Sequence, residues 1–246
     1  MLNREEDEGP PSRGKLYIIA TPIGNLEDLT FRALRTLREV SWVSCEDTRQ
    51  TRKLLNKYKL TKKLISYYQP KERQKIPQII QLLNEGQDVA LVSDAGTPGL
   101  SDPGYPLLSE TLKQGLQIIP IPGASALTAA LSSSGLPTHR FLFIGFPPPR
   151  REATKKLLLS LRGEKGTLIF YLPVRKLQLF LKIVDESLGT RRVVIAREMT
   201  KIHEEFLRGT PAGLLKTLEQ RRIKGEITLL IEGYTKRIKK KQVIKI

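Results

Sequence analysis

A chain of 246 residues with 39% hydrophobic content can build one large core or two modest ones. Its composition excludes several classes: no run of about 18 apolar residues could span a bilayer, the leader MLNREEDEGPPSRG lacks the apolar centre of a signal peptide, and one cysteine with two histidines supports neither a disulfide framework nor a zinc cluster. The net charge of +17, from 42 Lys and Arg against 25 Asp and Glu, makes a polyanion the expected partner, nucleic acid foremost.

The expectation is a soluble cytoplasmic protein with no bound metal and no membrane contact. Basic residues cluster at 49–63, 149–156 and in the tail KRIKKKQVIKI (236–246). Aromatics are only 6%, so the stacking platforms of single-strand binders are not advertised. His203 and Glu204 start like a zincin helix, but no second histidine follows at the required spacing.

Along the chain, strand-like and helix-like segments alternate. KLYIIA (15–20) reads as a buried strand, Leu29 to Arg38 as a helix with Leu29, Ala33, Leu34 and Leu37 on one face, and EVSWVSCED (39–47) as a second strand with Trp42 in the core. LLNKY is a short helix, LISYY a third strand, and IPQIIQLLNEG a helix ended by Gly86. VALVSD is the fourth strand, LLSETLKQG a helix and LQIIPIPG (116–123) the fifth strand.

Short strands apolar on both faces and separated by amphipathic helices are what a parallel sheet covered on both sides requires. The first half is therefore expected to be a doubly wound α/β domain. A second α/β unit is expected from about residue 124, repeating the theme: a helix over Ala124 to Ser133, a strand in FLFIGFPPPRR, TLIFYL, a helix over LQLFLKIVDESL, RRVVIARE, a helix over PAGLLKTLEQRR and a last strand, EITLLIEG. The predicted organisation is a leader over 1–14, domains over 15–123 and 124–233, and a basic tail over 234–246.

The stretch VALVSDAGTPGLSDPGYPLL (89–108) stops an apolar strand at Ser93 and Asp94 and continues as glycine, proline and aspartate. In open α/β sheets ligands bind at the carboxyl ends of strands, and glycine there lets backbone approach a ligand. Gly99 to Gly104 has P-loop spacing, but Tyr105 and Pro106 stand where Lys and Ser or Thr are needed, so an NTPase is disfavoured. Asp94 and Asp102 would repel a pyrophosphate and suit a cationic or hydroxyl-rich ligand such as S-adenosylmethionine. ATPIGNLEDLT after the first strand and IPIPGASALTAAL after the fifth are similar loops, and three small-residue loops on one rim point to a pocket.

Six motifs in order, LYIIATPIGNLEDLTFRAL, CEDTR, VALVSDAGTPGLSDPGYPL, PIPGASALTAALSSSGLPTHRFLFIGF, AREMTKIHEEFLRGT and KGEITLLIEG, resemble the ribosomal RNA small subunit methyltransferase I family of the tetrapyrrole methylase superfamily. The resemblance runs from about Lys15 to Gly233. It implies class III methyltransferase architecture, two α/β domains with S-adenosylmethionine in the cleft between them, a homodimer, and methyl transfer to a ribose 2′-hydroxyl of a cytidine in 16S rRNA near the decoding centre. By the same resemblance Asp94, Ala95, Gly96, Thr97, Ser101 and Asp102 line the sulfonium and methionine end of the cofactor. Pro122, Gly123, Ala124, Ser125, Tyr171, the Ala196 to Glu198 segment, Gly225 and Glu226 approach its adenosine side, and Thr21, Pro22 and Gly24 belong to a loop facing the cleft.

Two segments depart from the family. Tyr67-Tyr68-Gln69-Pro70-Lys71-Glu72 stands where Tyr-His-Glu-His-Asn-Glu is common, and Phe170-Tyr171-Leu172-Pro173-Val174-Arg175-Lys176 where Phe-Tyr-Glu-Ser-Pro-His-Arg is common. They keep open a tetrapyrrole- or diphthine-type methyltransferase, or a non-catalytic RNA-binding assembly factor. Activating a ribose hydroxyl calls for a general base. Glu46 or Asp47 is expected as base or base-orienter and Arg49 as an RNA phosphate contact, while His139 reads as a loop residue and Glu198 as a ligand contact or a salt-bridge partner of Arg197.

Overall fold

The structure, a computed structural model, describes residues 13–221 and 223–235. Residues 1–12 of the expected leader and 236–246 of the expected basic tail lie outside the described residues. The chain divides into two compact units, Met1–Ala126 and Leu127–Ile246.

The first unit carries a five-stranded sheet of β1 (Leu16–Ile19), β2 (Trp42–Cys45), β3 (Lys63–Ser66), β4 (Val89–Val92) and β5 (Ile118–Ile121), in the order β3-β2-β4-β1-β5. Every pairing is parallel. Both faces are covered, so successive residues of one strand enter different cores. Val89 and Leu91 pack with α3 (Glu72–Asn84) and α4 (Tyr105–Lys113), whereas Ala90 and Val92 pack with α1 (Phe31–Glu39) and α2 (Thr48–Lys57).

Because α1 leaves β1 over one face and α4 leaves β4 over the other, the chain diverges between these neighbouring strands, the switch point where open α/β sheets bind ligands. The fully buried Cys45 closes β2, its thiol pushed up chiefly by burial.

Several boundaries differ from expectation, each for a local reason. Asp47 caps α2 by accepting the Arg49 N–H at 2.8 Å, so that helix starts at Thr48 and includes basic residues with no apolar pattern. Thr30 caps α1, placing Leu29 before the helix. Trp42 is only half-buried, with the Lys63 ammonium 5.0 Å from its ring centroid.

The second unit departs most from the expected repeat. Its sheet, β6 (Phe141–Gly145), β7 (Thr167–Pro173), β8 (Val193–Arg197), β9 (Glu205–Gly209) and β10 (Glu226–Ile231), runs β6-β7-β10-β8-β9. Only β6 and β7 are parallel; the other pairs are antiparallel. The strand β9 and the helix α6 (Arg151–Ser160) were not expected. Glu205–Gly209 is half-buried or exposed throughout, and its two apolar residues, Phe206 and Leu207, are adjacent, so it gives no apolar alternation to read.

One face of this sheet packs against α6, α7 (Leu177–Leu188) and α8 (Pro211–Glu219), with Phe170 and Phe180 edge to face at 5.1 Å. The small-residue helix α5 (Ala126–Ser134) begins at the unit boundary and is closed by Gly135 at φ 74°. Among the described residues no helix is long and apolar enough to cross a membrane.

Leu229, fully buried at the middle of β10, belongs to the core of the second unit. Leu229→Ala is expected to lower the unfolding free energy by about 2–5 kcal/mol, read as a lower urea midpoint with an unchanged slope.

Candidate active site

The carboxyl ends of β1, β2, β4 and β5 bring the first unit's candidates onto one rim. Thr21 and Gly96 form an antiparallel bridge, with N–H to O distances of 2.8 and 3.0 Å, and so join the loops after β1 and β4 at the switch point. The Thr21 hydroxyl donates to the Ser93 carbonyl at 3.0 Å, and the Ser93 hydroxyl to the Gly96 carbonyl at 3.1 Å. The Thr97 hydroxyl reaches the Ala124 carbonyl at 3.3 Å, tying in the loop after β5.

Backbone packing explains the small residues. Gly96 has φ 86°, and a Cβ there would meet Ile23 at 3.4 Å; a Cβ on Gly123 would lie 3.1 Å from that of Ala20. Ser101 holds φ 69°, an uncommon conformation for a residue with a side chain. Pro22 is buried and Gly24 exposed, while Ala95, Pro122 and Gly123 are exposed and Ser125 half-buried.

Carboxylates dominate the rim. The Asp47 N–H donates to Asp94 Oδ1 at 3.1 Å, linking the ends of β2 and β4. Asp47 itself is held by a bidentate pair with Arg49, at 3.1 Å from Nε and 2.8 Å from Nη2. These Arg49 hydrogen bonds, side chain first and backbone second, pull the Asp47 carboxyl down to about 2.

Glu46, Asp94 and Asp102 are shifted the other way. Burial raises Glu46, with the charges of Asp94 and Asp47 adding to it. Burial also raises Asp94 against the opposing Asp47 N–H. Asp102 is raised to about 6, by burial first and the Glu46 charge second, against a hydrogen bond from Ser93. Among the described residues no salt bridge reaches any of the three.

The remaining candidates lie in the second unit, at one end of its sheet. The Tyr171 ring makes edge contacts with Phe143 at 5.0 Å and Phe146 at 5.8 Å. Gly225 has φ 95°, and a Cβ there would fall 2.3 Å from the Glu198 carboxyl carbon. Glu198 Oε1 accepts the Glu226 N–H at 2.9 Å, and the Lys201 ammonium spans Glu198 at 3.0 Å and Glu226 at 2.9 Å.

Arg197 pairs instead with Glu205 at 3.3 Å and donates to the Lys224 carbonyl at 2.9 Å, so the expected pairing with Glu198 is replaced. Sequence reasoning missed Lys201 and Ser93. The three-residue spacing of Glu198 and Lys201 is the available signal for the first, and Ser93 had none beyond its place at a strand end.

The model of the Tetrapyrrole (Corrin/Porphyrin) Methylases matches residues 15–214. The chain belongs to the tetrapyrrole methylase family. Within it the chain is 46% identical over 243 residues to the "Ribosomal RNA small subunit methyltransferase I" of Halalkalibacterium halodurans, covering 99% of this chain and 84% of that protein. It is also 46% identical over 220 residues to the protein of the same name from Thermotoga maritima, covering 89% of this chain and 99% of that one. The chain is therefore a member of the ribosomal RNA small subunit methyltransferase I branch, in agreement with the six sequence motifs.

The tetrapyrrole methylase fold extends to a solved uroporphyrin-III-C-methyltransferase from Thermus thermophilus, at TM-score 0.62 and 20% identity over 89% of this chain and 94% of that one.

A carboxyl raised in the folded state favours folding while protonated, and that contribution is lost as the pH rises through about 6 for Asp102. Asp102→Asn is therefore expected to be more stable than the native chain near pH 8, by about 1 kcal/mol once solvent screening is allowed for, and the gap should close as the pH falls toward the ordinary carboxyl range. Thermal melting across this range checks the sign, with about 2–4 °C expected at the alkaline end.

Proposed function

We propose that this chain is a cytoplasmic, homodimeric methyltransferase that methylates the ribose 2′-hydroxyl of a cytidine in 16S rRNA of the small ribosomal subunit, using S-adenosylmethionine. The observation that carries the reading is the rim itself: raised carboxyls of Glu46, Asp94 and Asp102 around a backbone drawn tight at Gly96 and Gly123. Acids raised by burial and by neighbouring negative charge are relieved by a cation, and the sulfonium and ammonium of S-adenosylmethionine provide two. The ribosomal substrate follows the names of the relatives and the charge of +17.

When bound, S-adenosylmethionine supplies a methyl group on a positively charged sulfur, open to in-line attack. Asp94 and Asp102 would hold its cationic end, with Thr21, Pro22, Gly24 and the segments Ala95 to Thr97 and Pro122 to Ser125 shaping the walls and Ser101 turning the loop toward Asp102.

Glu46 is assigned as the base that takes the proton from the ribose hydroxyl. Its raised carboxyl is closer to the working pH than an ordinary glutamate, which favours proton transfer. Asp47 is too acidic and too fully engaged by Arg49 to compete, and acts instead by orienting Asp94 through its backbone N–H. Arg49 holds Asp47 and keeps a largely exposed side chain for phosphate.

The test is transfer of a labelled methyl from S-adenosylmethionine to 30S subunits that lack the native modification, with the position mapped by primer extension. One 2′-O-methylated cytidine is expected, and Glu46→Gln should cut turnover by about 10²- to 10⁴-fold with little change in cofactor affinity. Tight cofactor binding without transfer to 30S would reject the acceptor, and a Glu46→Gln protein with native turnover would reject the base.

A further inference from the structure

Phe31 is 95% exposed, although it is the first residue of a well-anchored helix. Among the described residues no ring or cation contact engages its ring. The Thr30 hydroxyl caps α1 by accepting the Ala33 N–H at 3.1 Å, and the apolar contact that fixes the entry to such a helix is made by the residues on either side, Leu29 and Leu34, both packed in the core under α1. Ala33 and Leu37 supply the rest of the buried stripe.

A phenylalanine ring fully in water forgoes the burial that normally stabilises it. Its backbone is nonetheless fixed, by the cap and by Arg32, whose guanidinium donates to the Pro120 carbonyl at 3.4 Å.

The position is informative. Helix α1 follows β1, so its first turn stands at the same end of the sheet as Thr21, Gly96 and Asp94. Glu27 and Asp28 lie just before the helix, and beyond them the exposed side chains of α1 and α2 are mostly basic. Arg35 lies one turn along from Phe31 and Arg38 follows, both exposed. Helix α2 packs on the same face of the sheet, contains no acidic residue, and exposes Arg49, Arg52 and Lys53. The only acidic residue within either helix is Glu39, at the far end of α1.

We infer that Phe31 stacks on an unpaired nucleobase of the RNA substrate while the arginines and lysines of α1 and α2 hold the flanking phosphates. The inference rests on the reading that the substrate is RNA. Single-stranded RNA offers the two complements this surface needs, a π-face for the ring and a line of negative charge for the cations. An apolar protein partner would match the ring and offer nothing to Arg35, Arg38, Arg52 and Lys53. Phe31 is a substrate-positioning residue: it fixes one nucleotide beside the rim so that a neighbouring ribose is presented to Glu46.

The test uses full-length Phe31→Leu and Phe31→Trp proteins with unmodified 30S subunits as the probe. Leucine keeps the apolar bulk and loses the ring face; tryptophan keeps the face. Phe31→Leu is expected to raise KM for 30S by about 5- to 100-fold, with kcat and cofactor affinity unchanged, and Phe31→Trp to stay within about twofold of the native protein. Native KM in the leucine variant would overturn the proposal, and so would a changed sedimentation coefficient in both variants, which would assign the ring to a contact between copies. If the native protein transfers no methyl to 30S, the proposed function fails separately; filter binding of the three proteins to 30S then decides the stacking, equal affinities overturning it.

Discussion

Like-charge crowding at the carboxyl end of the parallel sheet is the constraint around which the first unit is arranged. A parallel sheet sends every strand end to the same side, and here β2 and β4 both deliver acids to it. One of the four has a cationic partner, since Arg49 grips Asp47 with two hydrogen bonds. The other three, Glu46, Asp94 and Asp102, are raised first by burial and then by neighbouring negative charge, Asp94 and Asp47 on Glu46, Asp47 on Asp94, and Glu46 on Asp102. Carboxyls raised in this way cost the fold stability wherever they are charged. The Thr21 to Gly96 bridge is the countermeasure: it fixes the acidic loop by backbone hydrogen bonds that no titration can remove.

The second unit solves a similar problem differently. Antiparallel pairing puts the carboxyl ends of β7 and β8 beside the start of β10, and two acids meet there, Glu198 and Glu226. Lys201 stands between them, and Glu198 is lowered rather than raised, first by the Glu226 N–H. The cost is conformational: Glu198 and Thr200 both adopt positive φ, and only glycine fits at 225. One unit keeps its acids available to a ligand, and the other uses them to set a rigid turn.

The parallel sheet was legible because burial on both faces writes itself as continuous apolar runs, as in VALV, and because glycine and proline cluster where those runs stop. The antiparallel half was not. Its central strands, TLIFYLP and VVIAR, are as apolar as any parallel strand, because helices cover one face and the other is also buried, so the pattern cannot report strand direction. The edge strand Glu205–Gly209 carries charges that serve as partners, Glu205 for Arg197 and Arg221, and these erase its alternation. At the site, residue types at strand ends were readable, but their pairings were not. Asp47 and Glu46 are equivalent in sequence, and only the Arg49 fork, a matter of rotamer and helix start, separates an inert acid from an available one. Phe31 escaped notice because a low aromatic content argues about numbers, whereas one ring's placement decides its use.

Cys45 gives the first sheet a property of a different kind. The chain has one cysteine, and it sits fully buried at the end of β2 with its thiol pushed away from the reactive thiolate. In the folded protein it is chemically silent, and it becomes reactive only when the end of the parallel sheet opens. The molecule therefore contains its own time-resolved reporter: thiol labelling counts openings of the first unit alone, and slows in proportion to whatever a ligand at the rim does to hold that sheet shut.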